Sequence, residues 1–203
     1  MILVTGATGN VGSEVVKCLA EKRAQFKVLT RKEFDFEKPE TFSPAVQGVE
    51  KLFLVRPPSI ADVDRCFKPL IETAKVSGVK HIVFLSLLGA EKNRIVPHRK
   101  IEDIILGSGI SSTFLRASFF MQNLSTTHAP DIREKDEIMV PAGNGKTSFI
   151  DVRDIAAVAA KALTDSGYEN EAYSLTGDEA LTYSDVAEIL SRVLGRKIVY
   201  RKP

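Results

Sequence analysis

The sequence predicts an α/β fold: a doubly wound parallel sheet covered by helices, with a small C-terminal α+β lobe. Three observations carry that prediction. Apolar runs of strand length alternate with amphipathic runs of helix length as far as Arg116. The first strand runs straight into a glycine-spaced turn and then a helix. Past Asn123 the texture changes, and Pro130, Pro141, Gly143 and Gly145 punctuate short segments. These features divide the chain into a core over residues 1–123 and a smaller substrate-side lobe over residues 124–203.

The elements follow in order. Residues 2–5 form a buried strand, the glycine turn follows, and residues 10–22 have helical periodicity. Residues 26–30 are the second strand. A full third strand is expected next, but only the short run 34–36 remains. Pro39 opens a short helix that Gly48 ends, a Pro-first, Gly-last layout. Residues 51–55 are a strand. Ser59 with Asp62 three residues on predicts a capping-box start for the helix through Lys75. Residues 81–86 are a strongly apolar strand, 97–106 a helix with Gly107 and Gly109 near its end, and 112–116 another strand. In the lobe, residues 151–163 form an Ala-rich helix. Thr182 with Asp185 opens a last helix that ends at Gly195.

With 203 residues, 44% hydrophobic and 27% charged, the chain can bury a core without covalent staples. A net charge of +2 with interspersed signs argues against direct nucleic-acid binding and against a membrane surface. Cys18 and Cys66 lie in helices with no C-x-x-C pairing, the usage of packing thiols in a reducing compartment. The sequence starts directly on a strand, without a signal-peptide layout, and no apolar run reaches the ~20 residues of a membrane span. A soluble, cytoplasmic protein is the expectation. No metal ligand set is expected.

The turn Thr5-Gly6-Ala7-Thr8-Gly9-Asn10-Val11-Gly12 carries the chemistry. The first glycine permits a tight turn, the second lets backbone approach a pyrophosphate, and the third lets helix and strand pack closely. The helix start then offers N–H groups and the positive end of its dipole to phosphates. Strand, turn and helix in that order make this a Rossmann-type dinucleotide site. Gly6, Thr8, Gly9, Asn10, Val11 and Gly12 are its contact residues, with Asp35 and Arg56 as further cofactor contacts. At the end of the second strand stands Thr30-Arg31-Lys32, with no carboxylate until Glu33. An acid there would bond the ribose hydroxyls of NAD, whereas Arg31 can grip a 2′-phosphate with its fork. NADP(H) is expected, ahead of NAD(H).

With these residues, Ser77-Gly-Val-Lys-His-Ile-Val-Phe-Leu-Ser86 and His98-x-x-x-Glu102 before Ser108-Gly109 complete a pattern. So do Phe114-Leu-Arg116, Phe119-Phe-Met-Gln-Asn123, Phe149-Ile-Asp-Val-Arg-Asp-Ile155 and Tyr173-Ser-Leu-Thr-Gly177. The chain resembles the NmrA-like group of atypical short-chain dehydrogenases/reductases over nearly its whole length. That resemblance implies NAD(P)H-dependent reduction of quinones or azo dyes, or else redox sensing by a dinucleotide-binding regulator with a protein partner. There are departures. None of Tyr168, Tyr173, Tyr183 and Tyr200 is followed by lysine four positions on, so the usual Tyr-x-x-x-Lys is missing. Val96 and Pro97 stand near the place of the catalytic lysine in isoflavone-reductase relatives. The short second-to-third-strand region removes some of the adenine wall. The family commonly extends beyond the point where this chain stops, which leaves an open site or a fragment as the expectation.

The reacting end is expected beyond the central strands, near Ser86, Leu87 and the turn 119–123. His98 and Glu102 share a helix face at i, i+4, as a proton donor with its orienting carboxylate or as a surface pair. Lys100 points away from both. Phe119, Phe120 and Met121 form a wall for a flat substrate or pack the lobe, and Asn123 bonds backbone or substrate. His81 and His128 read as structural. A quinone or azo acceptor spreads incoming charge and takes its proton from water, so the missing Tyr–Lys pair disfavours ketone or nucleotide-sugar epimerase chemistry more than quinone reduction.

Overall fold

In the computed structural model, which describes residues 1–202, the chain opens with β1 (Ile2–Val4), α1 (Asn10–Glu21), β2 (Phe26–Val28), α2 (Phe42–Val46) and β3 (Lys51–Val55). It continues through α3 (Val63–Val76), β4 (His81–Leu87), α4 (Pro97–Ser108), β5 (Ser111–Ala117), α5 (Ala129–Glu134), β6 (Glu137–Met139) and β7 (Lys146–Thr147). Then come α6 (Val152–Thr164), β8 (Glu171–Leu175), β9 (Leu181–Thr182), α7 (Tyr183–Leu194) and β10 (Val199–Arg201). Six strands form one sheet in the order β2-β1-β3-β4-β5-β8. The pairs β1–β2, β1–β3, β3–β4 and β4–β5 run parallel. Chain order reverses at β1, which has β2 on one side and β3 on the other. The crevice above the carboxyl ends of β1 and β3 is therefore the switch point where α/β sheets bind ligands.

Burial explains the strand sequences. All of β1 is buried, as is β4 up to Leu87, so both read as unbroken apolar runs rather than alternating ones. One face of the sheet packs on α2, α3 and α4 through a core that includes Phe42, Phe67, Leu70, Phe84, Ile101 and Ile105. The run 34–36 is no strand. Phe34 and Phe36 both turn into this core, their rings 4.8 Å apart, and Phe36 lies 5.0 Å from Phe67. The sixth strand is instead β8, contributed when the chain returns from the lobe.

That return changes the expected division at residue 123. The first unit comprises residues 1–117 and 153–174, and the second comprises 118–152 together with the stretch from 175 onward. The Ala-rich helix α6 and strand β8 thus belong to the sheet unit, because β8 completes its edge next to β5. The second unit holds two short strand pairs, β6–β10 parallel and β7–β9 antiparallel. Its core gathers Ile132, Ile138, Phe149, Tyr183, Val186 and Ile198.

Helix ends follow local chemistry with two corrections. Helix α3 begins at Val63, and its cap is Asp62 itself, which accepts from the Arg65 N–H at 3.1 Å; Ser59 lies outside it. The helix expected from Pro39 is divided into a 3-10 turn over Pro39–Thr41 and the short α2, which contains Pro44. Elsewhere the signals hold: Pro97 opens α4, and Gly109 at φ +78° closes it. Thr182 and Asp185 form a reciprocal capping box on α7, with Asp185 N–H donating to Thr182 Oγ1 at 3.1 Å and Thr182 N–H to Asp185 Oδ2 at 2.8 Å. Thr182→Ala should therefore lower the unfolding free energy by about 1 kcal/mol, seen as a lower urea midpoint with an unchanged slope. An unchanged midpoint would mean that the box contributes nothing to α7.

Candidate functional site

The glycine turn is clamped at its first residue. Thr5 is buried, its N–H and its hydroxyl both donate to Phe53 C=O at 3.0 Å, and the hydroxyl accepts from Val55 N–H at 3.0 Å. The end of β1 is thereby tied to the end of β3 by more than the strand ladder. Gly6 adopts φ +64°, a conformation that strains any residue with a Cβ, and its carbonyl accepts from Gly9 N–H at 2.9 Å. A Cβ on Gly12 would overlap that Gly6 carbonyl, lying 2.6 Å from its carbon. The third glycine thus lets α1 press against the turn itself rather than against the strand. Gly9 is the N-cap of α1 in extended conformation and brings no side-chain cap. A Cβ there would stand 3.3 Å from Gly6 O, tight but not excluded. Thr8 and Asn10 are exposed beside this end, whereas the Val11 side chain is buried and can serve a ligand only through backbone.

This turn lines a cleft of about 360 Å³ whose other walls include Thr30, Arg31, Asp35, Arg56 and Pro57. Glu33, the nearest acid after Arg31, is turned back on the chain. Its carboxylate accepts from Thr30 N–H at 2.9 Å and Thr30 Oγ1 at 2.8 Å, and these bonds hold its pKa below the usual range. Arg31 is exposed and makes no hydrogen bond or ion pair among the described residues. Asp35 braces its own turn, its Oδ1 accepting from Glu37 N–H at 3.1 Å. Apolar walls come from Phe34, Phe36, Pro57 and Ile60, so the short segment after β2 supplies aromatic surface where a loss was expected.

The chemistry of these donors suits a dinucleotide. A side-chain-free N-cap leaves the first turn of α1 to an anion, and Arg31, a cation with no ion-pair partner among the described residues, stands one strand away.

At the ends of β4 and β5 the structure rearranges the expected catalytic group. Glu102 is fully buried and does not orient His98. Its Oε1 accepts from Ser86 Oγ at 2.6 Å and Arg116 Nε at 3.0 Å, and its Oε2 accepts from Arg116 Nη2 at 2.8 Å. Arg116 also stands 3.4 Å from Glu91. A guanidinium that grips both of its oxygens, together with a hydroxyl, satisfies this carboxylate inside the fold. Ser86, itself buried, spends its proton on that bond. His98 packs near Phe84, and burial with the nearby charge of Arg56 pushes its pKa down to about 4, against the pull of Glu102. At neutral pH its imidazole is uncharged.

Phe119, Phe120 and Asn123 lie in the second unit. The Phe119 ring packs edge-on to Phe149 at 5.6 Å and Tyr183 at 6.2 Å, and stacks on His128 at 6.0 Å, so it works as packing of that unit. Asn123 braces its loop through backbone, its C=O accepting from His128 N–H at 2.9 Å. His81 is structural, with its Nε2 2.8 Å from Thr113 Oγ1. Two residues of the site carry no role in the sequence reading: Thr5, and Arg116 within the Phe-Leu-Arg run. Thr5 had a signal, as the first residue of the turn. The partner of Arg116 had none.

The profile of the NmrA-like family matches residues 1–202. The NAD(P)H azoreductase of Xenophilus azovorans is 42% identical over 219 positions, covering 98% of this chain and 76% of that protein. The NADPH-dependent quinone oxidoreductase of Escherichia coli, solved with NADPH, has a TM-score of 0.87 at 29% identity, covering 100% of this chain and 78% of that one. The Citrobacter sp. triphenylmethane reductase, solved with NADP(H), has a TM-score of 0.81 at 27% identity, covering 100% and 79%. Matched by the family profile through residue 202, on a sheet whose glycine turn is built for an anion, this chain belongs to the NmrA-like family.

Proposed function

We propose that this protein is an NADPH-dependent reductase that delivers hydride to a flat, electron-poor acceptor of the quinone or azo class. The observation that carries the cofactor half is the charge arrangement after β2. The acid that would bond the ribose hydroxyls of NAD is folded back onto Thr30, and Arg31 stands at the cleft without an acidic partner. The relatives that the chain resembles, an NAD(P)H azoreductase and an NADPH-dependent quinone oxidoreductase, support the same reading.

The chain's own residues divide the work. The amides at the start of α1 hold the diphosphate, Gly9 keeps that approach open, and Arg31 pairs with the 2′-phosphate. The bound cofactor supplies the hydride. What the reacting end withholds decides the acceptor. Ser86 donates to Glu102, Glu102 is saturated by Ser86 and Arg116, and His98 is neutral, too weak an acid to protonate an alkoxide. His98 as a proton donor is therefore replaced by His98 as a neutral, half-buried ring near Phe84. An acceptor that delocalises the arriving charge and takes its proton from water needs no placed acid, which favours quinones and azo compounds over simple ketones.

Two outcomes test this reading. Fluorescence titration should show NADPH bound at least about tenfold more tightly than NADH, Arg31→Ala should erase most of the preference, and NADPH should be oxidised steadily with a quinone panel. Equal affinity for the two nucleotides would remove the cofactor assignment. Tight binding without turnover on any acceptor would make the protein a dinucleotide sensor.

The second outcome follows from His98. Its folded pKa of about 4 lies below the ordinary 6.5, so below pH 6.5 the unfolded chain takes up a proton that the folded chain refuses. Stability linked to this residue is intact above pH 6.5 and lost as pH falls toward 4. Between pH 7.5 and 4.5 the wild type should lose about 2 kcal/mol more than His98→Gln, measured by urea unfolding at each pH. Parallel losses in both proteins would show that His98 takes up its proton in the fold as readily as in the unfolded chain.

A further inference from the structure

Arg56 follows the last residue of β3 and lines the cleft with the glycine turn. Its Nε is buried without a hydrogen-bond partner, and the guanidinium makes one long bond, Nη2 to the Pro58 carbonyl at 3.4 Å. Among the described residues no carboxylate pairs with it. Arg116 shows the contrast, a guanidinium of the same unit with its carboxylates in place. A partly desolvated guanidinium with spare donors is costly unless an anion supplies the acceptors, and among the described residues no acidic side chain does so. Burial already draws the Arg56 pKa downward.

The sheet order says which anion. Arg31 follows β2, the glycine turn follows β1, and Arg56 follows β3, three neighbouring strands with the turn in the middle. Adjacent strands lie about 4.8 Å apart, so Arg31 and Arg56 spring from strand ends about 10 Å apart across the turn. A dinucleotide with its 2′-phosphate at Arg31 and its diphosphate over the turn brings that diphosphate to the Arg56 side. We infer that Arg56 is the side-chain cation for the cofactor's diphosphate, completing with the amides of α1 a clamp that Arg31 does not share. The inference rests on the dinucleotide reading proposed above and adds the residue that grips what NADPH and NADH have in common. It also sets the two arginines apart: Arg31 reads the phosphate that distinguishes the cofactors, and Arg56 does not discriminate.

The test is a set of dissociation constants for NADPH, NADH and 2′-AMP, the last lacking a diphosphate, with the two nicotinamide nucleotides followed by fluorescence and 2′-AMP by competition. Arg56→Gln should weaken NADPH and NADH by the same factor, roughly tenfold or more, and leave 2′-AMP unchanged. Arg31→Ala should weaken NADPH and 2′-AMP and spare NADH. A loss confined to NADPH in Arg56→Gln would overturn the assignment in favour of the 2′-phosphate, and unchanged affinities would overturn it outright. Thermal unfolding checks that the variants are folded. Should Arg56→Gln fail to fold, Arg56→Lys keeps the charge without the fork and must weaken both nicotinamide nucleotides alike, or the assignment falls. If the unmodified protein bound neither nucleotide, the proposed function would fail first, which is a separate result.

Discussion

The first turn of α1 lies so close to the Gly6 carbonyl that residue 12 has no room for a Cβ, and the rest of the cleft is arranged around that approach. The contact needs Gly6 at positive φ, Gly9 extended as the N-cap, and Thr5 holding the end of β1 to β3 through its hydroxyl. Two of these requirements are local and the third ties together strands some 50 residues apart in the chain; together they aim the amide end of a twelve-residue helix at the switch point of the sheet. A side-chain cap at Gly9 would satisfy the helix from within. Its absence leaves the positive helix end to a ligand.

Charge is sorted around this centre. Glu33 is bonded to Thr30, Asp35 to the Glu37 amide, and Glu102 to Ser86 and Arg116. Glu33 and Asp35, the acids nearest Arg31 in the chain, are thus engaged locally, while Arg31 and Arg56 keep donors for a ligand. At the ends of β4 and β5 the sorting runs the opposite way: Ser86 is bonded to Glu102, Glu102 to Arg116, and His98 is held as a neutral ring, which on the proposed reading leaves hydride transfer to an acceptor that stabilises its own charge.

What could be read from sequence was what is settled within a few residues. The glycine turn, the Thr182–Asp185 box and the Gly109 and Gly195 stops rest on local backbone chemistry, and all appear. What escaped was decided by tertiary neighbours. The i, i+4 spacing made His98 the natural partner of Glu102, yet Arg116 reaches Glu102 from β5 and Ser86 reaches it from β4, a meeting that strand register creates. The β8 edge escaped because a sixth strand arrives only after the chain has left the sheet and returned. Phe34 and Phe36 alternate as a strand would, but both bury into the helix-side core rather than joining a ladder.

The most direct test of this account replaces the missing cap. In Gly9→Asp the carboxylate can cap α1 from within and repels a diphosphate, at a backbone conformation that any residue adopts. Urea unfolding and NADPH titration should be run on the same preparation. The account predicts a cooperatively folded protein that has lost NADPH binding, the gain from the new cap being set against the 3.3 Å approach of its Cβ to the Gly6 carbonyl oxygen. A folded Gly9→Asp protein that binds NADPH with undiminished affinity would contradict it, because the cofactor would then not rest on the α1 terminus.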